Sequence, residues 1–515
     1  MAKAKTPSFI LELPLVVKPG DDRILIARLE AGRRLYNVVL QEALKRLDLM
    51  RQSKAWQAAR TMPKAKDMSK ARREAFKHVQ EAFGFSEYAL HAVATRHKNA
   101  AGFADRLGAH ETQKLGSRVW KAASEYAFGV RGRPRFKGQS RPLHSLEGKN
   151  NQAGIRWKAE TGCVEWNGRV LPAKLPNIQQ DAYTLDALKV NTKYSRIIWR
   201  QVSGERCWFV QLIQEGQAPA KYAFYASGER VGLDVGPSTI AVVGEQAAGL
   251  VKFAPSVEQP WADIRKLQRA QDRSRRAMNP ANYDEKGRAR KGCKTWKRSE
   301  RYKDRQAKLA ELERQLASAR KRDHGELANT ILGLGNIIQT ETLSYKAFQR
   351  IYGRSVKVRA PGEFIERLNR KAERAGGKLI ELNTWRLRMS QYDHVLGTCE
   401  KKPLSQRWHR LNGGGTLVQR DIYSAFLARN VEDGQHNPTR LKSDWAAQEP
   451  ALRRAGLCVE ASASGKAPAV PTVVIPSERI ARLKRLGRGL IRDAVETLSR
   501  EPGGPASPAF GTPCL

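Results

Sequence analysis

Arg230-Val231-Gly232-Leu233-Asp234-Val235-Gly236 runs on through Pro237-Ser238-Thr239 into Ile240-Ala241-Val242-Val243, and the fold turns on this stretch. Apolar residues on either side of a Gly-Pro-Ser turn read as strand, turn, strand. Asp234 is out of keeping with the rest. A carboxylate within an apolar strand costs on the order of several kcal/mol unless it is paired or bound to metal. From local pattern alone a metal ligand and one half of a structural ion pair are both open.

Outward from this stretch, two cationic helical segments follow, at about 261–278 and 299–331, with a loop over 279–292. In the second, Leu309, Leu312, Leu316 and Ala319 recur at 3, 4, 3 spacing, as an antiparallel helical pair requires. Apolar strands are expected at 336–339 and 378–382, and a helix at 424–430. Strands alternating with helices predict an α/β sheet with inserted helices, over residues 226–456 with the helical insertion at 257–332.

Upstream, residues 8–17 read as a strand. From 25 to 62 apolar residues, among them Leu29, Leu35, Val38, Leu40 and Leu44, keep helical spacing, and helical pattern continues to about 130. The Lys/Arg-rich stretch 64–77 gives that layer a cationic face, either solvated or gripping a nucleic-acid backbone. Gly132-Arg133-Pro134-Arg135-Phe136-Lys137 is a breaker-rich basic turn. Strands are expected at 154–157, 164–166, 187–190, 195–201 and 207–214, with a hairpin turn at Gly204. The fold class expected is therefore multidomain α/β plus β. A small β-barrel (1–20 with 131–225) carries a helical domain (21–130) and precedes the α/β domain. Residues 457–515 read as a linker, a basic amphipathic helix at about 477–499, and a flexible tail.

At 515 residues, 41% hydrophobic and 28% charged, the chain has the balance of a globular protein with more than one core. Its 93 Lys and Arg against 51 Asp and Glu leave a formal +42, which calls for a polyanion. The 11 Trp and 13 Tyr among the basic segments can stack on bases, so nucleic acid is the expected partner. No apolar run approaches a membrane span, and Glu12 and Pro14 interrupt the apolar start, so no membrane partner is expected. Six scattered cysteines without a Cys-x-x-Cys pair fit reduced thiols in the cytoplasm.

Two further carboxylates join Asp234. Glu341, in Ile-Ile-Gln-Thr-Glu-Thr-Leu, ends an apolar strand, and Asp421, in Gln-Arg-Asp-Ile-Tyr-Ser-Ala-Phe, starts a helix, where a capping Asp is the alternative. Two-metal phosphodiester hydrolysis needs several carboxylates converging from rigid elements, because hard divalent ions take oxygen ligands. Asp234, Glu341 and Asp421 are the candidate catalytic and metal-binding residues.

These three motifs resemble those of the transposon-encoded TnpB proteins and the related miniature type V CRISPR effectors. Gly-Leu-Asp-Val-Gly-Pro-Ser-Thr-Ile-Ala-Val around Asp234 is similar to their first RuvC motif, Glu-Thr-Leu-Ser-Tyr at Glu341 to the second, and Arg-Asp-Ile-Tyr-Ser-Ala at Asp421 to the third. Residues 404–409 (Leu-Ser-Gln-Arg-Trp-His), Gly132 to Lys137 and the cationic helix pair fall in family order, and the resemblance spans roughly 8–456. It implies an RNase H-like (RuvC) nuclease domain, a wedge-like barrel and a helical recognition domain. The implied activity is an RNA-guided DNA endonuclease using Mg²⁺ or Mn²⁺, with a guide RNA and target double-stranded DNA bearing a short flanking motif as partners. A nucleoid-associated cytoplasmic location follows.

Two departures stand out. Tyr423 occupies a position where many relatives have Asn. The family's four-cysteine zinc ribbon falls at 390–416, but Asp393, Leu396, Leu411 and Gly413 stand at the cysteine positions, so zinc is not expected. A hydrogen-bonded metal-free loop, or a rearranged site of His394, Cys399 and His409, would replace it. Arg420 sits either near the scissile phosphate or in a surface salt bridge. An RNA-guided DNA-binding roadblock and a DNA transposase are the alternative functions, and monomer and homodimer are both open.

Overall fold

The computed structural model describes residues 6–63, 65, 68–138, 142–176, 181–219, 228–245, 247–293, 295–403, 406–411 and 415–460. The expected basic helix at 477–499 and tail, most of the expected linker, Leu404 and Gly413 lie outside the described residues. The chain divides into two compact units, Met1–Lys221 and Tyr222–Leu515.

In the first unit β1 (Ser8–Pro14) leads into α1 (Pro19–Gln52), a 34-residue helix with Pro19 in its first turn. Asp21 and Asp22 lie where the helix dipole favours negative charge. Leu25, Leu29, Leu35, Val39, Leu40, Leu44 and Leu47 form its buried stripe, whereas Val38, expected in that stripe, falls outside it and is exposed. Helices α2 (Lys54–Thr61), α3 (Ser69–Ala82), α4 (Glu87–Ala100) and α5 (Ala109–Ala127) complete the helical layer. The basic turn after it is tied back to α1, because Asn37 exchanges two hydrogen bonds with the Lys137 backbone and Arg33 donates to the Lys137 carbonyl.

The strands that follow are β2 (Ser145–Glu147), β3 (Ile155–Lys158), β4 (Cys163–Trp166), β5 (Arg169–Pro172), β6 (Thr192–Val202) and β7 (Glu205–Glu215). Ser203 and Gly204, both at positive φ, turn β6 into β7 as a two-residue hairpin loop does. No closed barrel is seen among the described residues. Among the described residues the strands form two open sheets, ordered β1-β7-β6-β2 and β3-β4-β5, joined at a corner by the Leu15–Ala173 bridge. A strand expected at 187–190 is instead the end of α6 (Ala182–Leu188) and the turn after it, the helix being started by Asp181, which accepts from the Thr184 amide at 3.1 Å and hydroxyl at 2.7 Å.

The second unit is built on a five-stranded mixed sheet, ordered β10-β9-β8-β11-β12. β8 (Arg230–Val235), β9 (Thr239–Val243) and β10 (Ala248–Lys252) run as an antiparallel meander. β11 (Ile337–Glu341) and β12 (Lys378–Leu382) add in parallel on the other side of β8. Strand period two sends alternate residues to two cores. Val231, Leu233 and Val235 join Ile240, Val242 and Ile338 in one. Helices α7 (Glu258–Met278), α8 (Glu300–Leu332) and α10 (Pro361–Arg374) carry Ile264, Leu316, Phe364 and Leu368 to it. Helix α9 (Tyr345–Arg359) precedes α10, and the sequence pattern left both without an element.

On the other face lie α11 (Thr384–Leu387), the hairpin of β13 (Tyr392–Asp393) and β14 (Thr398–Cys399), and the strands β15 (Trp408–Leu411) and β16 (Thr416–Gln419). Then come α12 (Arg420–Arg429), β17 (Val431–Glu432), β18 (Gln435–His436), α13 (Pro438–Arg454) and β19 (Cys458–Glu460). Their core gathers Leu387, Met389, Tyr423, Phe426 and Trp445 against Ala241, Val243 and Leu382.

Candidate metal centre

Register brings the first two carboxylates side by side. In the parallel ladder Gln339 pairs with Gly232 and Thr340 with Leu233, so the next step sets Glu341 beside Asp234, and both side chains leave the same face. The third arrives by a helix crossing. A Cβ on Gly232 would collide with the Ala425 carbonyl and lie 2.5 Å from the Arg429 amide, so only glycine lets α12 settle against β8 at this depth. Asp421 stands one turn before Ala425, ~6 Å along the helix. Asp234 stands two residues past Gly232, ~6.6 Å along the strand. The crossing thus sets Asp421 above Asp234.

Electrostatics agree with that placement. Burial pushes the Asp234 carboxyl well above the usual range, the charges of Asp421 and then Glu341 push it further, and Arg420 opposes them. Burial raises Glu341 to about 7 against the pull of a hydrogen bond from the Met389 backbone. Gln419 caps α12, its Oε1 accepting from the Ile422 amide at 2.7 Å while its Nε2 donates to Asp421 Oδ2 at 3.2 Å. Among the described residues no three His, Cys, Asp or Glu side chains converge closely enough to hold a metal ion as they stand. The donor set nevertheless suits a hard divalent cation: three carboxylates from three elements, two of them with protonation favoured by burial until a cation neutralises them.

Two arginines flank Asp421 in different ways. Arg420, for which a place near the scissile phosphate and a surface salt bridge were both open, donates to the Gln406 carbonyl at 3.0 Å and pairs with Asp421 at 3.4 Å, bracing the loop before β15 from a largely buried position. Arg407 lies 3.9 Å from Asp421 and is 55% exposed, so its charge faces solvent beside that carboxylate. Its neighbours in Leu-Ser-Gln-Arg-Trp-His were singled out in the sequence, but nothing local pointed to this arginine rather than Arg420.

Hydrogen bonds hold the β13–β14 hairpin. Asp393 accepts from the Val395 and Leu396 amides as a turn-capping residue. The Tyr423 hydroxyl lies 3.0 Å from the His394 amide and 2.8 Å from His394 Nδ1, and Lys402 donates to His409 Nδ1 at 2.6 Å. His394, Cys399 and His409 form no metal-holding group, and Cys399 is exposed.

The fold and site together define a carboxylate centre on a mixed α/β sheet. Comparison with protein-family models and with curated proteins gives no match. Among solved structures, a Cas12f1–sgRNA–target DNA complex is similar with a TM-score of 0.42 and 10% identity, over 82% of this chain and 98% of that one. A CRISPR–Cas12f ternary complex is similar with a TM-score of 0.27 and 13% identity, over 82% and 99%. At those values a function has to be supported by the site's own geometry. Among the described residues no helix is long and apolar enough to cross a membrane.

Proposed function

We propose that the chain is an RNA-guided DNA endonuclease whose RNase H-like (RuvC) domain hydrolyses phosphodiester bonds with divalent ions held by Asp234, Glu341 and Asp421. The observation that carries this reading is the coincidence of ladder register and helix crossing that brings three carboxylates towards one end of β8, where burial and then the charges of Asp421 and Glu341 push Asp234 up. Bound Mg²⁺ or Mn²⁺ would supply an activated water and stabilise the leaving oxygen. Asp234 and Glu341 would hold the cation from the sheet and Asp421 from the helix start, where Gln419 orients its carboxylate. Arg407 would steer the phosphate, while Arg420 keeps the adjoining loop in place. Guide RNA and target DNA answer the +42 charge, and the three motifs resemble those of TnpB and miniature type V effectors. In this reading residues 1–20 and 131–225 are the wedge-like domain and 21–130 the recognition helices.

A second reading, an RNA-guided roadblock that binds DNA without cutting, is favoured by the absence, among the described residues, of a ready-made metal-holding group. One experiment separates the two. The full chain, purified with its co-expressed RNA, is given matching duplex DNA in Mg²⁺ or EDTA. Cutting in Mg²⁺ that EDTA abolishes, and that Asp234→Asn slows by roughly a hundredfold or more while binding persists, is expected of the nuclease. Binding without cutting in Mg²⁺ or Mn²⁺ selects the roadblock, and an Asp234→Asn chain that cuts as well as wild type overturns the assigned site.

A further inference from the structure

Most described tryptophans, such as Trp157, Trp166, Trp208 and Trp408, are buried, but Trp385 is 90% exposed, more than any other large hydrophobic side chain among the described residues. Its position relates it to the carboxylates. Leu382, three residues before it, is the register partner of Glu341, and the Met389 backbone, four residues after it, hydrogen-bonds the Glu341 carboxylate. Trp385 is therefore the apex of a short loop whose two ends both touch Glu341, with no more than ~11 Å of chain between the Trp385 Cα and the Leu382 anchor.

That loop is braced. Asn383 Oδ1 accepts from the Trp385 and Arg386 amides, Thr384 Oγ1 donates to the Thr342 carbonyl at 3.0 Å, and His436 Nε2 meets the Leu387 carbonyl at 2.7 Å. Leu387 and Met389 are buried beneath it. The fold thus holds an indole out into solvent on a fixed support, with Arg386 and Arg388 following it in the same short loop and Glu341 met at both of the loop's ends. A rigid exposed aromatic face with two arginines in the same short loop is the chemistry that receives an unpaired nucleobase and its phosphate. A protein partner or a second copy would find two cations beside its apolar contact, a poorer match.

We propose that Trp385 is a stacking platform for an unpaired base of the strand led to Asp234, Glu341 and Asp421, and so a positioning residue for the cut. The proposal rests on the nuclease reading for its consequence in cleavage, but the stacking can be measured apart from it. In the Asp234→Asn background, with the co-expressed RNA bound, matching DNA carries 2-aminopurine at successive positions of the displaced and target strands. Quenching at one or two positions, relieved by Trp385→Ala and largely kept by Trp385→Phe, is expected. Quenching that Trp385→Ala leaves unchanged, or its absence at every position, overturns the platform, as does a Trp385→Ala chain that elutes at a smaller assembly size with its quenching intact. In the chain with Asp234 intact, Trp385→Ala should raise KM for DNA about tenfold and lower kcat less. An unaltered KM beside active cutting defeats the positioning role alone, whereas failure of every variant and the wild type to cut defeats the nuclease reading and leaves the quenching result to decide the platform.

Discussion

Tyr423 is fully buried on α12, two residues past Asp421, with its ring stacked on His409 at 4.6 Å and packed against Phe426 and Trp445. Its hydroxyl fastens the β13–β14 hairpin through the His394 amide and ring. Burial raises its pKa, so it stays a phenol. Tyr423→Phe keeps the ring and strips the buried His394 amide of its acceptor, which costs about 1–3 kcal/mol. A lower unfolding free energy in urea is the expected result, and a midpoint equal to wild type would mean that the hydroxyl fastens nothing. His409, under the same hairpin, is held down to about 4 by burial and then by the Lys402 charge, with Asp393 pulling the other way. The unfolded chain takes up that proton near pH ~6.5 and the folded chain only near pH 4, so the unfolded state binds more protons in between. Stability from this residue is complete above about pH 6.5 and lost as pH falls towards 4, by about 3 kcal/mol at most. Burial lowers His324, His394 and His436 in the same direction. Replacing His409 by Phe should flatten the fall of the thermal midpoint across this window, and a slope equal to wild type would place the proton uptake elsewhere.

The crossing of α12 over β8 is an element-scale device, and Gly232 is its weakest point. Gly232→Ala puts a methyl group into the Ala425 carbonyl, so the helix must lift. The expected cost is about 1–3 kcal/mol or more, with a further loss of cutting per folded molecule as Asp421 moves off Asp234. Gly325→Ala, within α8 where an added Cβ meets no atom within 4 Å, is the matched control and should stabilise by about 0.5–1 kcal/mol. Equal stability and cutting for Gly232→Ala and wild type would rule out the close approach. The elements themselves were largely legible: an apolar strand holding Asp234, another ending at Glu341, and a helix starting at Asp421 all follow from period and capping. What escaped depends on relations across the chain. Barrel or open sheet is a matter of which strand edges meet, and β2 is too short to show its edge in sequence. Helices α9 and α10 were hidden by Gly353, Pro361 and Gly362, residues that usually interrupt helices; Pro361 here opens one, in its first turn. Arg407 and the Met389 backbone reach the site through loop trajectories, for which no spacing rule exists.

At the scale of the whole molecule the surplus of Lys and Arg dominates. A net +42 repels itself, and local pairs relieve little of it, because exposed bridges such as Arg34–Glu30 and Lys303–Glu300 each contribute about 0–1 kcal/mol. A polyanion relieves it far more, and binding by phosphate neutralisation releases condensed counterions, so affinity must fall with salt. If some six to ten phosphates are engaged, the affinity for RNA or duplex DNA drops roughly 10³- to 10⁵-fold between about 50 and 200 mM salt. The same linkage makes nucleic acid a stabiliser: saturating RNA at low salt raises the thermal midpoint, and the gain shrinks as salt is added. Trp385→Ala should weaken binding without changing the slope of log affinity against log salt, since stacking releases no counterion, whereas Arg407→Ala should reduce the slope by about one. A nearly flat slope for wild type would mean that the surplus cations face water and not phosphate, and the charge would then say nothing about the partner.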